Sequence, residues 1–298
     1  MLAFLRLGRL RFLGGGFLLY GLGAVIAAVH GAVIDPVTYA LGQGVVTAFQ
    51  LMTHYANDYF DYEADRANHT PTRWSGGSRV LSAGELPRSI GLVAARALAA
   101  IGAGLSALAI ARHGGAVAPT LAAMFVLAWA YSAPPLRLCA RGLGELATAL
   151  VVTGLVPWLG FCLQAEALRG ADTLLLAIAP LVLLQLAMLL AIEFPDADGD
   201  AATGKRTLVV QLGAARAARL YALVLLLAYL WLPLALVLGL PPRVALAAAV
   251  PAPVALWRIA RLADHADPRA FERLAFFGVF QLVATALAEL VAFASLLR

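Results

Sequence analysis

Two short stretches hold nearly half of the carboxylates in a chain that is otherwise poor in charge. Eight of the 17 acidic residues lie in these stretches, each at the end of a long apolar segment. They are Asp58, Asp61, Glu63 and Asp65 in the first stretch, and Glu193, Asp196, Asp198 and Asp200 in the second. Carboxylates close to a membrane core are costly to maintain, so both stretches indicate a functional site.

The spacing within each stretch predicts a metal site. Residues four apart share one face of a helix, so Asn57, Asp61 and Asp65 form a stripe. Asp196 and Asp200 form a second stripe. Side chains that offer only oxygen suit a hard divalent cation, and Mg²⁺ usually completes its coordination with water and substrate phosphate oxygens. The alternative is that these carboxylates are simply solvated at helix ends.

Basic side chains follow the acidic stretches. Arg79 lies in the loop after the first stretch, and Lys205 comes shortly after the second. Arg137 ends the stretch that begins at Tyr131. Carboxylates that bind metal, together with a few basic groups, form the arrangement expected for a diphosphate. Each arginine taken alone has a second interpretation, as an orientation signal or a contact with lipid headgroups.

The elements that position these residues must be membrane-spanning helices. Hydrophobic residues make up 62% of the 298 residues, charged residues 13%, and the mean hydropathy is +0.85, which excludes a soluble domain. The apolar runs are long enough for spanning helices and lack the alternation of a membrane barrel. We predict an all-α polytopic bundle around a central cavity, forming one domain over residues 1–298. Its nine predicted spans are 12–34, 37–57, 88–111, 116–133, 144–168, 173–195, 214–239, 243–262 and 271–297.

The basic residues predict how the chain is oriented. Seventeen of them fall in one set of alternate loops and four in the other, with Arg96 inside a span. This asymmetry places the N-terminus and both acidic stretches on the cytoplasmic side and the C-terminus outside, and we expect the membrane to be a bacterial inner membrane. The net charge of +5 is dispersed along the chain, which argues against a nucleic-acid partner. Membrane lipid is an expected partner, and the sequence indicates no protein partner.

Three stretches, in order, resemble motifs of the UbiA superfamily of intramembrane prenyltransferases. Asn57–Asp65, with the pattern Asn-Asp-x-x-Asp-x-x-x-Asp, is similar to the first aspartate-rich motif of that family. Asp196–Asp200, followed by Gly204–Thr207, is similar to the second. Tyr131–Arg137 resembles the loop between the fourth and fifth helices. The resemblance covers nearly the whole chain.

This resemblance implies a Mg²⁺-dependent transfer of an isoprenyl chain from a polyprenyl diphosphate to an aromatic acceptor. The catalytic residues that it implies are Asp61, Asp65, Asp196 and Asp200. Two Mg²⁺ ions would be held by Asn57, Asp61, Asp65, Asp196 and Asp200, with Asp58 and Glu193 assisting. The residues implied to contact the diphosphate are Arg79, Arg137 and Lys205.

The acceptor pocket has two candidate residues. By the resemblance, Tyr131 would line this pocket. His54 lies one turn before Asn57 and could face the same cavity as a base for the acceptor, although a histidine packed in the core is the alternative.

The identity of the acceptor stays open at this point. Four stretches favour a branch resembling MenA, the 1,4-dihydroxy-2-naphthoate prenyltransferases of menaquinone synthesis: Asn57–Tyr62, Gly76–Leu81, Gly142–Glu145 and Glu193–Asp196. The Tyr-x-x-x-Lys pattern of 4-hydroxybenzoate enzymes has Pro135 at the position of its lysine. Tyr131–Leu136 also resembles chlorophyll synthases. Acceptors such as 4-hydroxybenzoate, homogentisate or a chlorophyllide therefore remain alternatives.

Two other classes of membrane protein carry aspartates in or near the bilayer. CDP-alcohol phosphotransferases need an Asp-Gly-x-x-Ala-Arg element, which the sequence lacks. A secondary transporter would place its acidic residues near the bilayer midplane and would show an internal repeat. The acidic residues here lie at helix ends, which favours the enzyme.

Overall fold

The protein is built from helices joined by short loops. The structure is a computed structural model that describes residues 1–165, 167–260 and 268–297. No β-strand occurs within these ranges, so the predicted all-α class is confirmed. We number the nine main helical segments α1 to α9. They are α1 Leu13–Val29, α2 Pro36–Phe60, α3 Ser89–His113, α4 Ala118–Ala130, α5 Gly144–Cys162, α6 Ala171–Glu193, α7 Ala214–Val237, α8 Pro242–Ala260 and α9 Pro268–Ala294.

Several shorter helical turns lie between or beside the main helices. α5 contains a π-helical segment at Ala149–Leu155, and α8 is interrupted at Val250–Pro251. The short turns are Leu2–Leu7, Leu10–Phe12, Tyr62–Ala67, Gly115–Val117, Leu138–Ala140, Phe194–Asp196, Ala197–Ala202 and Leu208–Leu212. Residues of the acidic stretches lie on three of these turns, Tyr62–Ala67, Phe194–Asp196 and Ala197–Ala202, and the turn Leu208–Leu212 follows the second stretch.

The main helices correspond to the nine predicted spans. Seven helical segments in the described part of the chain are long and apolar enough to cross a membrane. α4 and the turn before it form a shorter apolar segment, Gly115–Ala130. α2 has 25 residues, but it carries polar side chains along its length, among them Gln43, Gln50 and Asn57. A helix lined by polar groups in this way must turn them toward protein or a cavity.

Close contact between α1 and α5 depends on two glycines. A Cβ atom at Gly23 would overlap the carbonyl of Pro157, and one at Gly160 would overlap the carbonyl of Tyr20. Small residues that let two helix backbones approach are typical of packing within membranes. α6 lies beside α5, α7 and α9 and contributes fully buried leucines such as Leu181 to the core.

The two acidic stretches meet at one end of the bundle. α2 is followed at once by the turn Tyr62–Ala67, and α6 is followed by Ala197–Ala202. These two short turns pack against each other. The residues of both acidic motifs are therefore neighbours in space, although they lie more than 130 positions apart in the sequence.

The N-terminal segment packs against the end of α2 that carries the first motif. The hydroxyl of Tyr55 donates to the carbonyl of Phe4 at 3.0 Å, and Gln50 Nε2 donates to the carbonyl of Phe12 at 2.7 Å. Between these anchors, Arg9 adopts a left-handed backbone conformation with φ 48°. The segment consequently turns back toward the acidic residues.

Candidate active site

Lys205 joins the two acidic motifs. Its Nζ lies 3.0 Å from Asp61 Oδ2 and 3.3 Å from Asp200 Oδ1. The Lys205 side chain is only 16% exposed. Burial by itself lowers the pKa of Lys205, but the two carboxylates outweigh burial and raise it above its ordinary value, so the ammonium group stays charged. One carboxylate from each motif is thus within reach of a single cation.

Asn57 and Asp61 contact each other and several neighbouring polar groups in this site. Asn57 Nδ2 donates to Asp61 Oδ2 at 2.8 Å and to Ser132 Oγ at 3.2 Å. The Asn57 Oδ1 atom accepts from Arg9 at 3.0 Å. Cys139 Sγ lies 3.8 Å from Asp61 Oδ1. Asp61 is therefore buried among one ammonium group, one amide and one thiol.

Asp65 lies under the glycine-rich part of the following loop. A Cβ at Gly77, where φ is +72°, would overlap the Asp65 carboxylate, so only glycine allows the loop to approach so closely. Burial raises the pKa of Asp65 to about 8; Arg9 opposes this shift, and Asp58 and Asp61 add to it. Asp65 is consequently protonated for part of the time near neutral pH, and a bound cation would drive off its proton.

The loop between α2 and α3 donates hydrogen bonds to Asp196. Asn68 Nδ2 lies 2.7 Å from Asp196 Oδ1, and the backbone N–H of Gly76 lies 2.9 Å from Asp196 Oδ2. Thr70 Oγ1 donates to the carbonyl of Pro195 at 2.5 Å. These hydrogen bonds hold the loop that follows the first motif against the second motif.

Asp58 faces the same loop from the other side and pairs with Arg9. It accepts from the backbone N–H of Ser78 at 3.2 Å, from the Ser78 hydroxyl, and from Arg9 Nη2. The pKa of Arg9 is raised: burial lowers it, but the charges of Asp58 and Asp65 more than compensate. The sequence indicated Arg9 only as an orientation charge, because nothing in a local pattern reveals the left-handed turn that directs it into the site.

Two of the predicted diphosphate contacts lie at the margin of the site. Arg79 has a left-handed backbone with φ 65°, and its Nη1 donates to the backbone carbonyl of Asp65. Arg137 is exposed on the loop after α4 and has φ 43°. Of the three predicted basic residues, Lys205 is the one that directly pairs with the aspartates.

The two predicted acceptor residues have different neighbours. Tyr131 is half-buried beside Cys139, whose backbone N–H donates to the Tyr131 carbonyl at 2.9 Å. Burial raises the pKa of the Tyr131 hydroxyl above its ordinary value. His54 contacts the N-terminal segment, with Nδ1 at 2.8 Å from the Gly8 carbonyl and its ring edge-on to Phe12.

Glu193 is directed toward another carboxylate. It is a neighbour of the Glu145 carboxyl group, and Glu145 is 1% exposed. Glu145 Oε1 accepts from the backbone N–H of Leu208 at 2.6 Å. The Oε2 atoms of Glu145 and Glu193 are both buried without a hydrogen-bond partner. The role of Glu145 was missing from the sequence-based site, where it appeared only as the last residue of a motif.

The donor set fits a divalent cation in chemistry. Within the described ranges, no three Asp, Glu, His or Cys side chains are already arranged to hold a metal ion. Even with Asp65 protonated, however, three acidic side chains of the two motifs face two basic ones, which leaves an excess of negative charge. The acidic side chains are Asp58, Asp61 and Asp200, and the basic ones are Arg9 and Lys205. Oxygen donors with unbalanced negative charge favour a hard cation such as Mg²⁺.

These features define an integral membrane protein whose helices gather acidic and basic side chains into a polar site at one end of the bundle. The chain belongs to the UbiA prenyltransferase family, whose model matches residues 17–281, and it is a prenyltransferase. No curated protein matches the sequence.

Solved structures share its fold. A digeranylgeranylglyceryl phosphate synthase is 18% identical, with a TM-score of 0.66 over 98% of each chain. A UbiA homologue from Aeropyrum pernix K1 is 17% identical, with a TM-score of 0.66, covering 94% of this chain and 98% of its own. A UbiA homologue from Archaeoglobus fulgidus, bound to GPP and Mg²⁺, is 15% identical, with a TM-score of 0.64 over 99% of each chain.

Proposed function

We propose that the protein transfers an isoprenyl chain from a polyprenyl diphosphate to 1,4-dihydroxy-2-naphthoate in a Mg²⁺-dependent reaction of menaquinone biosynthesis. The observation that carries the proposal is the contact of Lys205 with both Asp61 and Asp200, which joins one carboxylate from each motif around a single positive charge. The Archaeoglobus fulgidus relatives bound to DMAPP or GPP with Mg²⁺ support this choice of ligand.

The metal-binding role is assigned to residues of both motifs. Two Mg²⁺ ions would be held by Asn57, Asp61, Asp65, Asp196 and Asp200, with Asp58 and Glu193 as support. When bound there, Mg²⁺ would supply positive charge to the diphosphate oxygens, which would favour breakage of the allylic C–O bond. The protein's part is to keep these oxygen donors close together at a water-poor end of the bundle, where electrostatic interactions are stronger than in water.

Basic residues complete the diphosphate site. Lys205 and Arg9 each have N–H donors beside the aspartates, and these donors can pass from carboxylate to phosphate oxygens once a divalent cation compensates the acids. Arg79 and Arg137, which lie at the margin of the site, stay predicted contacts for the outer phosphate. Hydrogen bonds from these groups hold the leaving diphosphate in place as negative charge develops on it.

An apolar cavity is available for the isoprenyl chain. It has a volume of about 570 Å³ and lies between α1, α2 and α3, with Phe17, Thr47, Leu51 and Leu98 among its lining residues. The α2 residues of this cavity precede Asn57 along the helix, so the cavity lies further from the acidic end of α2 than the aspartates do. A chain held there would be shielded from water, which would otherwise quench the allylic carbocation.

The acceptor would enter beside Tyr131, with the aromatic carbon attacking the allylic cation after C–O breakage. His54 stays a prediction for this pocket. The motifs shared with MenA-like enzymes support dihydroxynaphthoate as the acceptor. We further propose that the whole chain forms one domain in a bacterial inner membrane, with the N-terminus and the site on the cytoplasmic side and the C-terminus outside, since the basic residues are concentrated in that set of loops.

The test is incubation of the purified protein with Mg²⁺, radiolabelled geranylgeranyl diphosphate and a panel of acceptors. Dihydroxynaphthoate should be prenylated by the wild type. Asp61→Ala and Asp196→Ala should abolish the reaction without loss of expression or membrane insertion, whereas Asp198→Ala, which removes an exposed acid, should retain it.

Three results would contradict parts of this proposal. Prenylation of 4-hydroxybenzoate, homogentisate or a chlorophyllide alone would show that the proposed acceptor is wrong, but it would agree with prenyl transfer as the reaction. Wild-type turnover in both aspartate variants would refute the metal site. Solute movement in proteoliposomes without consumption of any prenyl diphosphate would favour a transporter.

A further inference from the structure

Glu145 is a buried acid to which the proposed reaction gives no role. It lies in the first turn of α5, and its Oε1 accepts from the backbone N–H of Leu208 at 2.6 Å. Leu208 is the first residue of the short helix Leu208–Leu212. The first N–H groups of a helix have no partner within it, so Glu145 fixes the start of this helix onto α5.

The segment that Glu145 holds is the one that carries Lys205. The backbone of this segment makes two further contacts: Lys205 N–H donates to the Asp200 carbonyl at 2.9 Å, and Arg206 N–H donates to the Ala140 carbonyl at 3.0 Å. Lys205 is therefore fixed from the second motif on one side and from the start of α5 on the other. Lysine has a flexible four-carbon side chain, so its ammonium group is held between two carboxylates only if its backbone is held.

We propose that Glu145 is a positioning residue, which sets the place of the Lys205 ammonium group between Asp61 and Asp200. The inference builds on the proposed function in that Lys205 is taken to serve the diphosphate. Without the carboxylate, the N–H of Leu208 would lose its hydrogen-bond partner, and the segment would shift to regain one. Small displacements of a positioned charge are costly for binding and catalysis.

The geometry also identifies the conservative variant. In Glu145→Gln, the amide oxygen can keep the hydrogen bond from Leu208, and the new NH₂ group takes the place of Glu145 Oε2. That group faces Glu193, whose Oε2 is buried without a partner. Glutamine therefore preserves the positioning contact, and its NH₂ group can donate to the Glu193 carboxyl. Glu145→Ala removes the contact.

The experiment compares Glu145→Gln, Glu145→Ala, Lys205→Met and the double variant Glu145→Ala/Lys205→Met. Binding of inorganic diphosphate with Mg²⁺ and the KM for the prenyl diphosphate should both worsen by about tenfold or more in Glu145→Ala. Glu145→Gln should stay within about twofold of the wild type. The double variant should be no worse than Lys205→Met, since a residue that acts through Lys205 has nothing to position once Lys205 is gone.

A stability cycle makes the inference independent of the proposed function. Thermal unfolding of the wild type, Glu145→Ala, Lys205→Met and the double variant in EDTA measures the ion pair of Lys205 without any ligand, and the two single effects should again be less than additive. A wild type that neither binds diphosphate nor transfers a prenyl group would refute the proposed function. The stability cycle would still test the positioning role of Glu145. Additive effects in the cycle, or equal losses in Glu145→Gln and Glu145→Ala, would overturn the positioning role.

Discussion

Replacing Lys205 with methionine should make the stability of the protein depend on divalent cations. The substitution keeps most of the apolar stem of the side chain and removes the ammonium group that lies 3.0 Å from Asp61 and 3.3 Å from Asp200. Two largely buried carboxylates then face each other without compensation. Mg²⁺ bound by the same oxygens would restore the balance of charge.

The size of the effect follows from these distances. At an effective dielectric constant of about 20, each ion pair has a gross Coulomb energy of about 5 kcal/mol. Removing one partner of a buried pair typically costs about 3–5 kcal/mol after relaxation. A loss of about 3 kcal/mol corresponds to a decrease of roughly 6–12 °C in the unfolding temperature of a domain somewhat smaller than this chain.

The assay is thermal unfolding of detergent-solubilised protein in EDTA and in saturating Mg²⁺. Lys205→Met should unfold well below the wild type in EDTA, and saturating Mg²⁺ should recover at least half of the difference. Arg206→Met is the matched control, because it removes an adjacent but exposed positive charge and should change little. The reasoning would be refuted if Mg²⁺ stabilised Lys205→Met and the wild type equally, since Lys205 and Mg²⁺ would then not compete for the same carboxylates.

Three further outcomes are expected. Between about pH 6, where Asp200 loses its proton, and about pH 8, Mg²⁺ affinity should rise about tenfold per pH unit and then level off, because the buried carboxyl of Asp65 has a pKa of about 8 and must lose its proton to bind metal. Titration calorimetry that found no such slope, or the same slope in Asp65→Asn, would contradict this. Thr47→Trp should fill the cavity and so decrease kcat/KM for long prenyl diphosphates more than for short ones. The control Val93→Trp, at an exposed position, should not have this effect. An equal loss of kcat/KM for all chain lengths would contradict the role of the cavity. Gly23→Ala should cost about 1–3 kcal/mol of stability, because the new Cβ overlaps α5. Gly104→Ala is the control, since a Cβ at Gly104 has open space around it. Equal unfolding temperatures of the two variants would contradict the helix packing.

The membrane architecture could be predicted because it follows from composition and run length. Apolar runs of about 20 residues specify a spanning helix with little help from tertiary contacts. α2 is the instructive exception. Its apolar character is weakened by residues such as Gln43 and Gln50, which face the protein or the cavity, so the predicted span 37–57 depends on a weaker apolar run than the others do.

Much of the site could also be anticipated from the acidic spacing, because residues four apart on a helix must share a face. The residues that the sequence did not identify reach the site through loops and long-range contacts. Arg9 depends on a left-handed turn, and Asn68 contacts Asp196 across 128 positions. Glu145 acts on a segment that lies 63 residues further along. Periodicity describes only neighbours within one helix, so such contacts leave no signal in it.

The most direct test of the account is to locate the metal. In crystals or cryo-EM grids of the protein with Mn²⁺ and a non-hydrolysable prenyl diphosphate analogue, the account predicts metal density bound jointly by Asp61 of the first motif and Asp200 of the second, with the diphosphate bridging them. Metal bound by one motif alone, or diphosphate bound away from both aspartates, would contradict it.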